Sequence, residues 1–484
     1  MLCHMRFVRT SDDTPDLKRG GLFACHVKRL VIWRRTSIPH TKKSSLLFRK
    51  GADCSRLMYL KELHDTIRNI TFSKSSVSHV GDNGVIHLAT ESYSEVDKAR
   101  AIAKHVLSEQ GDIEHPLMMM DFSKVFAQFQ RWKTCFPSIK PYYAVKCNPD
   151  PVLVGFLQSL GVDFDCATSA EMDLVVNTLG HNPDKVIYSN PCKLASHIRF
   201  ARDSGVKLTI VDNIDEVVKI KANHPNAEVL IRLACADSSS QCPMSLKFGA
   251  TNDRVEQILQ HAMDVQLKVV GVHFHVGSGC SDIGTFHRAL LDARRAFDIG
   301  FQVGHDMHTL DLGGGYPGLT LEGECKTSNG VHFEEMAKVI NNLISQLFSD
   351  PHICIMAEPG RFMCAGSSAL LTKIHSKCKV DDETVRYYIN DGLYGCFNCV
   401  LYDHQTVRPE TLDERRSGQG PKNVTIFGPT CDGFDKIMDA GASHLPEMEV
   451  DDRLVWMTMG AYTTAASTTF NGFPQAKYFY YRTI

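Results

Sequence analysis

The chain has 484 residues and a formal net charge of −2, with 53 Lys and Arg against 55 Asp and Glu. That balance offers no electrostatic footprint for nucleic acid or an anionic membrane surface, and no apolar run approaches the ~20 residues of a transmembrane helix. The 17 cysteines are scattered without zinc-finger spacing, which indicates free thiols in a reducing, cytoplasmic setting and no metal site.

Residues 1–82 differ from the rest. Basic residues from Arg6 to Lys50 outnumber the acids, and no sustained helical or strand period is visible. This reads as a disordered extension, and no apolar h-region with a cleavage site marks it as a secretory leader. Residues 83–115 read as a lead-in. An apolar stretch at Gly84–Leu88 is expected to contribute to a β domain, and a helix follows with Ser94 as N-cap.

From 116 to 361 strands and helices alternate. Apolar strands are predicted at Tyr142–Lys146, Val162–Thr168, Val186–Pro191, Leu208–Asn213, Val229–Ala234, Val269–Gly277, His308–Gly315 and Ile353–Gly360. Helical patterns of ~10–20 residues separate them, which means βαβ units and a parallel sheet. About eight units over ~240 residues is the arithmetic of a (β/α)8 TIM-like barrel, in an α/β fold class. A doubly wound sheet is the alternative. The barrel is preferred because polar residues close nearly every strand, and barrels carry their active sites at that face.

Those strand ends hold Lys146, Asp165, Glu171, Asn190, Asp212, Arg232, His275, Ser278, Asp311, Glu358 and Arg361. A lone lysine there either snorkels to solvent or, with a lowered pKa, bonds an aldehyde cofactor as a Schiff base. Gly313, Gly314, Gly315 and Gly360 would let backbone N–H groups approach phosphate oxygens after the last two strands. Arg361 adds charge there and Ser278 a hydroxyl. Glu358 can keep a pyridine nitrogen protonated, which makes the ring an electron sink, and His275 can stack on its face. Together these are the parts of a pyridoxal 5'-phosphate site.

Beyond 361 the pattern turns to strands with little helix, at Val385–Asn390, Val424–Phe427, Arg453–Gly460 and Lys477–Arg482. Residues 362–484 are therefore expected to form an all-β C-terminal domain. Three polar stretches interrupt it: Asn390–Tyr394, Leu401–His404 and Gly428–Gly433. In the last, Pro429 and Gly433 make a turn that exposes Cys431 and Asp432.

The motifs PYYAVKCN, FDCAT, SNPCK, LKFGA, FHVGSG, LDLGGGYPG, AEPGRF, NDGLYGCFNC, LYDH, GPTCDG, MGAY and FNGF recur in order. On these the chain, from about residue 85 onward, resembles the eukaryotic ornithine decarboxylases of the alanine-racemase-like fold group. The resemblance implies a homodimer that converts L-ornithine to putrescine and carbon dioxide, the first step of polyamine biosynthesis. It implies Lys146 as the Schiff-base lysine, Glu358 on the pyridine nitrogen and His275 on the ring. Ser278, Gly315, Gly360, Arg361 and Tyr462 would hold the phosphate, and Asp165 and Arg232 would line the pocket. Cys431 and Asp432 would enter the pocket of the opposite subunit. Tyr402, Asp403 and Asp432 would bind substrate, with both carboxylates receiving its δ-ammonium. Lys247 and Asp435 would pair across the dimer.

The basic start has no counterpart in that family. A catalytically inactive antizyme-inhibitor-like protein is the alternative of a different class, and a decarboxylase preferring lysine or arginine is the alternative within it. Retention of Lys146, Asp165, Arg232, Asp403, Cys431 and Asp432 favours the enzyme. Antizyme is an expected partner, through a basic face spanning Lys193 to Arg202.

Overall fold

Eight short strands close into a parallel barrel. They are Lys140–Ala144, Asp163–Cys166, Val186–Tyr188, Leu208–Val211, Glu228–Leu233, Lys268–Phe274, Thr309–Asp311 and Cys354–Ala357. Neighbours pair in chain order, and the last closes on the first through Met356↔Lys140 and Ala357↔Pro141. This computed structural model describes residues 59–67, 87–88, 94–320, 323–324, 332–413 and 422–483.

The near-continuous apolar character of the strands follows from burial on both faces. Tyr142, Ile187, Ile210, Leu230, Val270 and Met356 fill the inside of the barrel. Their chain neighbours, such as Val186, Val211, Val229, Ile231 and Val269, point outward into the main core beneath the helices, as the two-residue strand period requires. Side-chain caps start the helices: Asp150 for Pro151–Ser159, Asn213 for Ile214–Asn223 and Asp282 for Ile283–Val303.

The strands end earlier than their predicted limits. Lys146 lies in a 3₁₀ turn, Val145–Cys147, just past its strand, and the strand expected to reach Gly277 stops at Phe274. The polar and glycine-rich tails leave the ladder, so their side chains are free to turn into the mouth.

The second layer is a ten-stranded sheet. Its long strand Ser368–Lys379 pairs antiparallel with Leu117–Asp121, with Thr384–Ile389 and with Arg453–Trp456. Lys477–Thr483 runs parallel to Leu117–Asp121 on one side and to His87–Leu88 on the other. A barrel boundary at 116 therefore includes a strand, Leu117–Asp121, that belongs to this sheet. Its LMMM run buries against β-domain strands, and the first barrel strand begins only at Lys140.

Part of the 1–82 stretch also departs from expectation. Residues 59–67 form a helix. Leu60, Leu63 and Ile67 recur at helical spacing, Leu63 is buried, and Ile67 packs on the main core. It fits there because residue 155 is glycine: a Cβ at Gly155 would stand 2.2 Å from Ile67 Cδ1. The remaining residues of the basic extension lie outside those described. Among the described residues, no helix is long and apolar enough to cross a membrane.

Candidate active site

Strand register builds one row across the barrel floor. Arg232 lies opposite His273, and His273 opposite Asp311. Glu358 follows the last strand and reaches the same row, with His273 Nε2 3.2 Å from its Oε2. His273, Asp311 and Glu358 are almost wholly buried. Their ligand-type atoms lie within 4.8 Å of one another.

Two carboxyls so close cannot both ionise cheaply. Burial and the Glu358 charge push Asp311 well above the usual carboxylate range. For Glu358 burial works the same way, but His273 and the Lys146 ammonium outweigh it and hold the acid ionised, below that range. Burial, opposed only by Glu358, keeps His273 below its ordinary value and therefore neutral. The floor thus carries one anion, Glu358. Its Oε1 is buried without a hydrogen bond among the described residues.

Lys146 approaches this acid from the adjacent strand, the first, on which the last strand closes. Its Nζ pairs with Asp165 Oδ2, and Asp165 is fully buried while the lysine side chain is about one-third exposed, at 34%. Burial pulls the Lys146 pKa down, but Asp165 and Glu358 more than offset it and hold the ammonium above its ordinary range. The lowered pKa expected from the sequence is therefore not found in this state, although burial also pushes Asp165 well above the usual carboxylate range, so the pair holds its proton jointly. His275 Nδ1 accepts from Gly277 N at 3.0 Å, which leaves Nε2 as the protonated nitrogen. Burial first, and Arg232 next, push this imidazole well below its ordinary value, so it stays neutral.

The glycine turns meet beside His275. Gly277, Gly279, Gly313 and Gly315 all have positive φ, which side chains with a Cβ rarely adopt. A Cβ at Gly314 would stand 2.7 Å from His275 Nε2, and one at Gly360 2.9 Å from Cys147 Cβ. Arg361 Nη2 donates to Ser278 Oγ at 3.0 Å, and Nη1 to Asp403 Oδ2 at 2.7 Å. The guanidinium also lies 5.0 Å from the centre of the Tyr462 ring, and Tyr462 N donates to Cys147 O at 2.9 Å. Serine, arginine and glycine backbone so gathered suit a phosphate.

Residues 122–365 match the family model described as pyridoxal-dependent decarboxylase, pyridoxal binding domain. The chain belongs to the pyridoxal-dependent decarboxylases. It is 39% identical over 398 residues to ornithine decarboxylase of Rattus norvegicus, covering 78% of this chain and 84% of the relative. It is 38% identical over 396 residues to antizyme inhibitor 2 of Xenopus laevis, covering 79% and 85%. Among solved structures it resembles the arginine decarboxylase of Paramecium bursaria Chlorella virus, with TM-score 0.73 and 31% identity over 80% of this chain and all of the other.

The decarboxylase cofactor, pyridoxal 5'-phosphate, fits what the mouth offers. Lys146 could take the aldehyde, the glycine turns with Ser278 and Arg361 the phosphate, and Glu358 Oε1, without a hydrogen bond among the described residues, the ring nitrogen. Arg232 lies nearby with its guanidinium 5.1 Å from the Phe248 ring centre.

The remaining predicted residues lie on the β domain and on one barrel loop. Asp403 is buried beside Arg361, whereas Tyr402 is 71% exposed. Cys431 is exposed, and its N donates to Asn471 Oδ1 at 3.2 Å. Asp432 accepts from Tyr394 Oη and, at 3.0 Å, from Phe434 N. Lys247 is exposed next to Phe248. Asp435 is only 1% exposed, and within its own chain it accepts from Leu393 N at 2.7 Å and from Thr430 Oγ1 at 2.7 Å. The Lys193–Arg202 face loses one of its expected cations to burial. Lys193 is buried against Glu216, and Arg199 and Arg202 bond to Asn223.

His273 escaped the reading from sequence. The signal was present: His273-Phe274-His275 places two histidines at the two-residue period of a strand that ends in the mouth.

Proposed function

We propose that this decarboxylase acts on L-ornithine, releases putrescine and carbon dioxide, and works in the cytoplasm as a homodimer with shared sites. One observation carries the catalytic part: a lysine and a carboxylate oxygen with no hydrogen bond among the described residues stand on adjacent strand ends in a mouth lined by glycine turns. When bound, the cofactor supplies an electron sink for the bond to the departing carboxylate. The chain's own residues do the rest. Lys146 would hold the aldehyde and be free again when product leaves. Glu358 would keep a proton on the ring nitrogen, and His275, neutral, would face the ring without adding charge. Lys146 Nζ or Cys431 Sγ delivers the proton that replaces the carboxylate.

Ornithine is favoured by the rat relative and by two carboxylates, Asp403 and Asp432, suited to a distal ammonium. Asp403 is engaged with Arg361 in the single chain, so substrate binding includes sharing it. Cys431 and Asp432 are presented outward with partners only from their own domain's loops among the described residues, which supports their use in the partner's site. The exposed Lys247 suits the rim of that interface, while Asp435 holds together the loops that carry Cys431. Antizyme binding is proposed for the exposed part of the helix Ala195–Ser204, with Lys193 excluded by its burial.

The test is carbon dioxide release from ornithine, lysine and arginine, measured side by side. Ornithine should be fastest. Lysine differs by one methylene, worth only about 1–3 kcal/mol in a pocket, so some lysine turnover is compatible. Arginine as the best substrate would overturn the assignment. No release from any of the three, together with no cofactor absorbance, would turn the reading to the antizyme inhibitors.

A further inference from the structure

The floor of the mouth contains a histidine for which the proposed chemistry has no use. His273 is fully buried, and no part of it reaches the surface where Lys146 and the substrate meet. Yet it touches the one floor acid that is ionised. Its Nε2 lies 3.2 Å from Glu358 Oε2, and its Nδ1 is buried without a hydrogen bond among the described residues. A neutral imidazole carries one N–H. Since Glu358 is a carboxylate and can only accept, that proton belongs on Nε2.

The consequence falls on Glu358. A carboxylate on a glutamate side chain rotates about its last bond, and both oxygens are equivalent until something distinguishes them. Here Oε2 has the His273 donor, whereas Oε1 has no hydrogen bond among the described residues. Two further groups bear on this carboxylate, the Ser189 hydroxyl and the Asp311 carboxyl, which its raised pKa keeps protonated. Arg232 is turned toward Met244 and Phe248, Lys146 toward Asp165, and Asp311 accepts from Gly313 N at 2.8 Å, so His273 is the donor that reaches Oε2.

We propose that His273 is a positioning residue: it ties down Glu358 Oε2, so that Oε1 alone is aimed at the cofactor's ring nitrogen. This rests on the reading of Glu358 as the ring-nitrogen acid. His273 never touches the cofactor. It fixes the rotation of the carboxylate and favours its ionised form, and both strengthen the hold on a protonated ring nitrogen. The buried position also explains why an unpartnered His273 would be costly, and why its donor must be spent on Glu358.

The experiment compares two ligands on the full-length apo-protein: pyridoxal 5'-phosphate and its 1-deaza analogue, which has carbon in place of the ring nitrogen. Affinities are read from ligand absorbance and fluorescence quenching, so turnover is not needed. Wild type should prefer the nitrogen-bearing ligand. His273→Leu should lose about tenfold of that preference, the scale of one hydrogen bond to a charged group. His273→Gln, which can still donate from a similar place, should keep it. A purely structural role would weaken both ligands equally and leave the preference intact, and that result overturns the inference while Glu358 keeps its role. A wild type that does not distinguish the ligands overturns the role of Glu358 and this inference with it. If His273→Leu does not fold, nitrogen-15 NMR of histidine-labelled wild type decides. His273 should be the neutral Nε2–H tautomer, and an Nδ1–H tautomer, or a metal ion bound between His273 and Glu358, overturns the inference.

Discussion

The barrel mouth and the Cys431 loop handle their charged groups in opposite ways. In the mouth, Asp165, His273, Asp311 and Glu358 are buried together, and each group's charge is set by its neighbours. On the loop, Cys431 is exposed and Asp432, among the described residues, bonds to Tyr394 and Phe434. One region sets its charges internally. The other is an exposed loop held by hydrogen bonds to the buried Asp435. On the proposed reading, burial within one chain would mark where the cofactor sits, whereas the residues proposed to meet the substrate's far end would need a second chain.

The largest expected effect breaks the mouth itself. Lys146→Ala should abolish turnover, because Lys146 is the amine that pairs with Asp165 and acts on Glu358. Borohydride reduction of the wild type, followed by peptide mapping, should find the cofactor on Lys146. Label on a different lysine would remove Lys146 from its role.

A smaller effect concerns the seam between barrel and β domain. Asp150 caps a barrel helix and accepts from Tyr480 Oη at 2.8 Å. Burial raises its pKa to about 6 from an ordinary 3.8. The folded chain therefore holds a proton that the unfolded chain releases between those values. Stability should fall as pH rises through that window and level off above it, by about 2–3 kcal/mol from this group. Urea unfolding at several pH values should show that slope, and Asp150→Asn should remove this contribution. An unchanged slope in the variant would place the pH dependence elsewhere, with Asp391, also raised to about 6, the next group to test.

The smallest effect lies furthest from the mouth. Leu63→Ala should cost about 1–2 kcal/mol, less than a full core truncation because the helix at 59–67 covers only one face of the barrel. The turnover rate should not change. A truncated chain starting near Asn83 should show at least as large a loss of stability. Equal stability of the truncated and full-length chains would mean that this helix adds nothing.

Much of this was legible in the chain itself. The alternation of strand and helix predicts the barrel because a parallel sheet buries both faces and so writes an apolar run for each strand. The polar strand ends predict the mouth for the same reason: Lys146, Arg232, His275 and Glu358 interrupt runs that are otherwise apolar. What was missed follows equally from physics. Leu117–Asp121 has an apolar run like any barrel strand, and only its pairing with Ser368–Lys379 assigns it to the β sheet. The helix at 59–67 is two turns of amphipathic pattern inside a basic stretch, too short to stand out. Its place is set by Gly155, nearly ninety residues later in the chain. The charge states were beyond reach as well. Lys146 stands out as a reactive lysine in the sequence, but the carboxylates that keep it protonated come from other strands.

The central claim is that each active site takes its Lys146 from one chain and its Cys431 from the other. It is tested most directly by mixing Lys146→Ala with Cys431→Ala, each nearly inactive as a homodimer, and letting the chains exchange. A mixed dimer carries one site with both defects and one with neither. Random exchange makes about half of the dimers mixed, so about a quarter of the wild-type sites, and of the activity, should return. If both residues served the same chain, every site would carry one defect. No recovered activity, despite subunit exchange shown by mass spectrometry of differently tagged chains, would contradict the shared site.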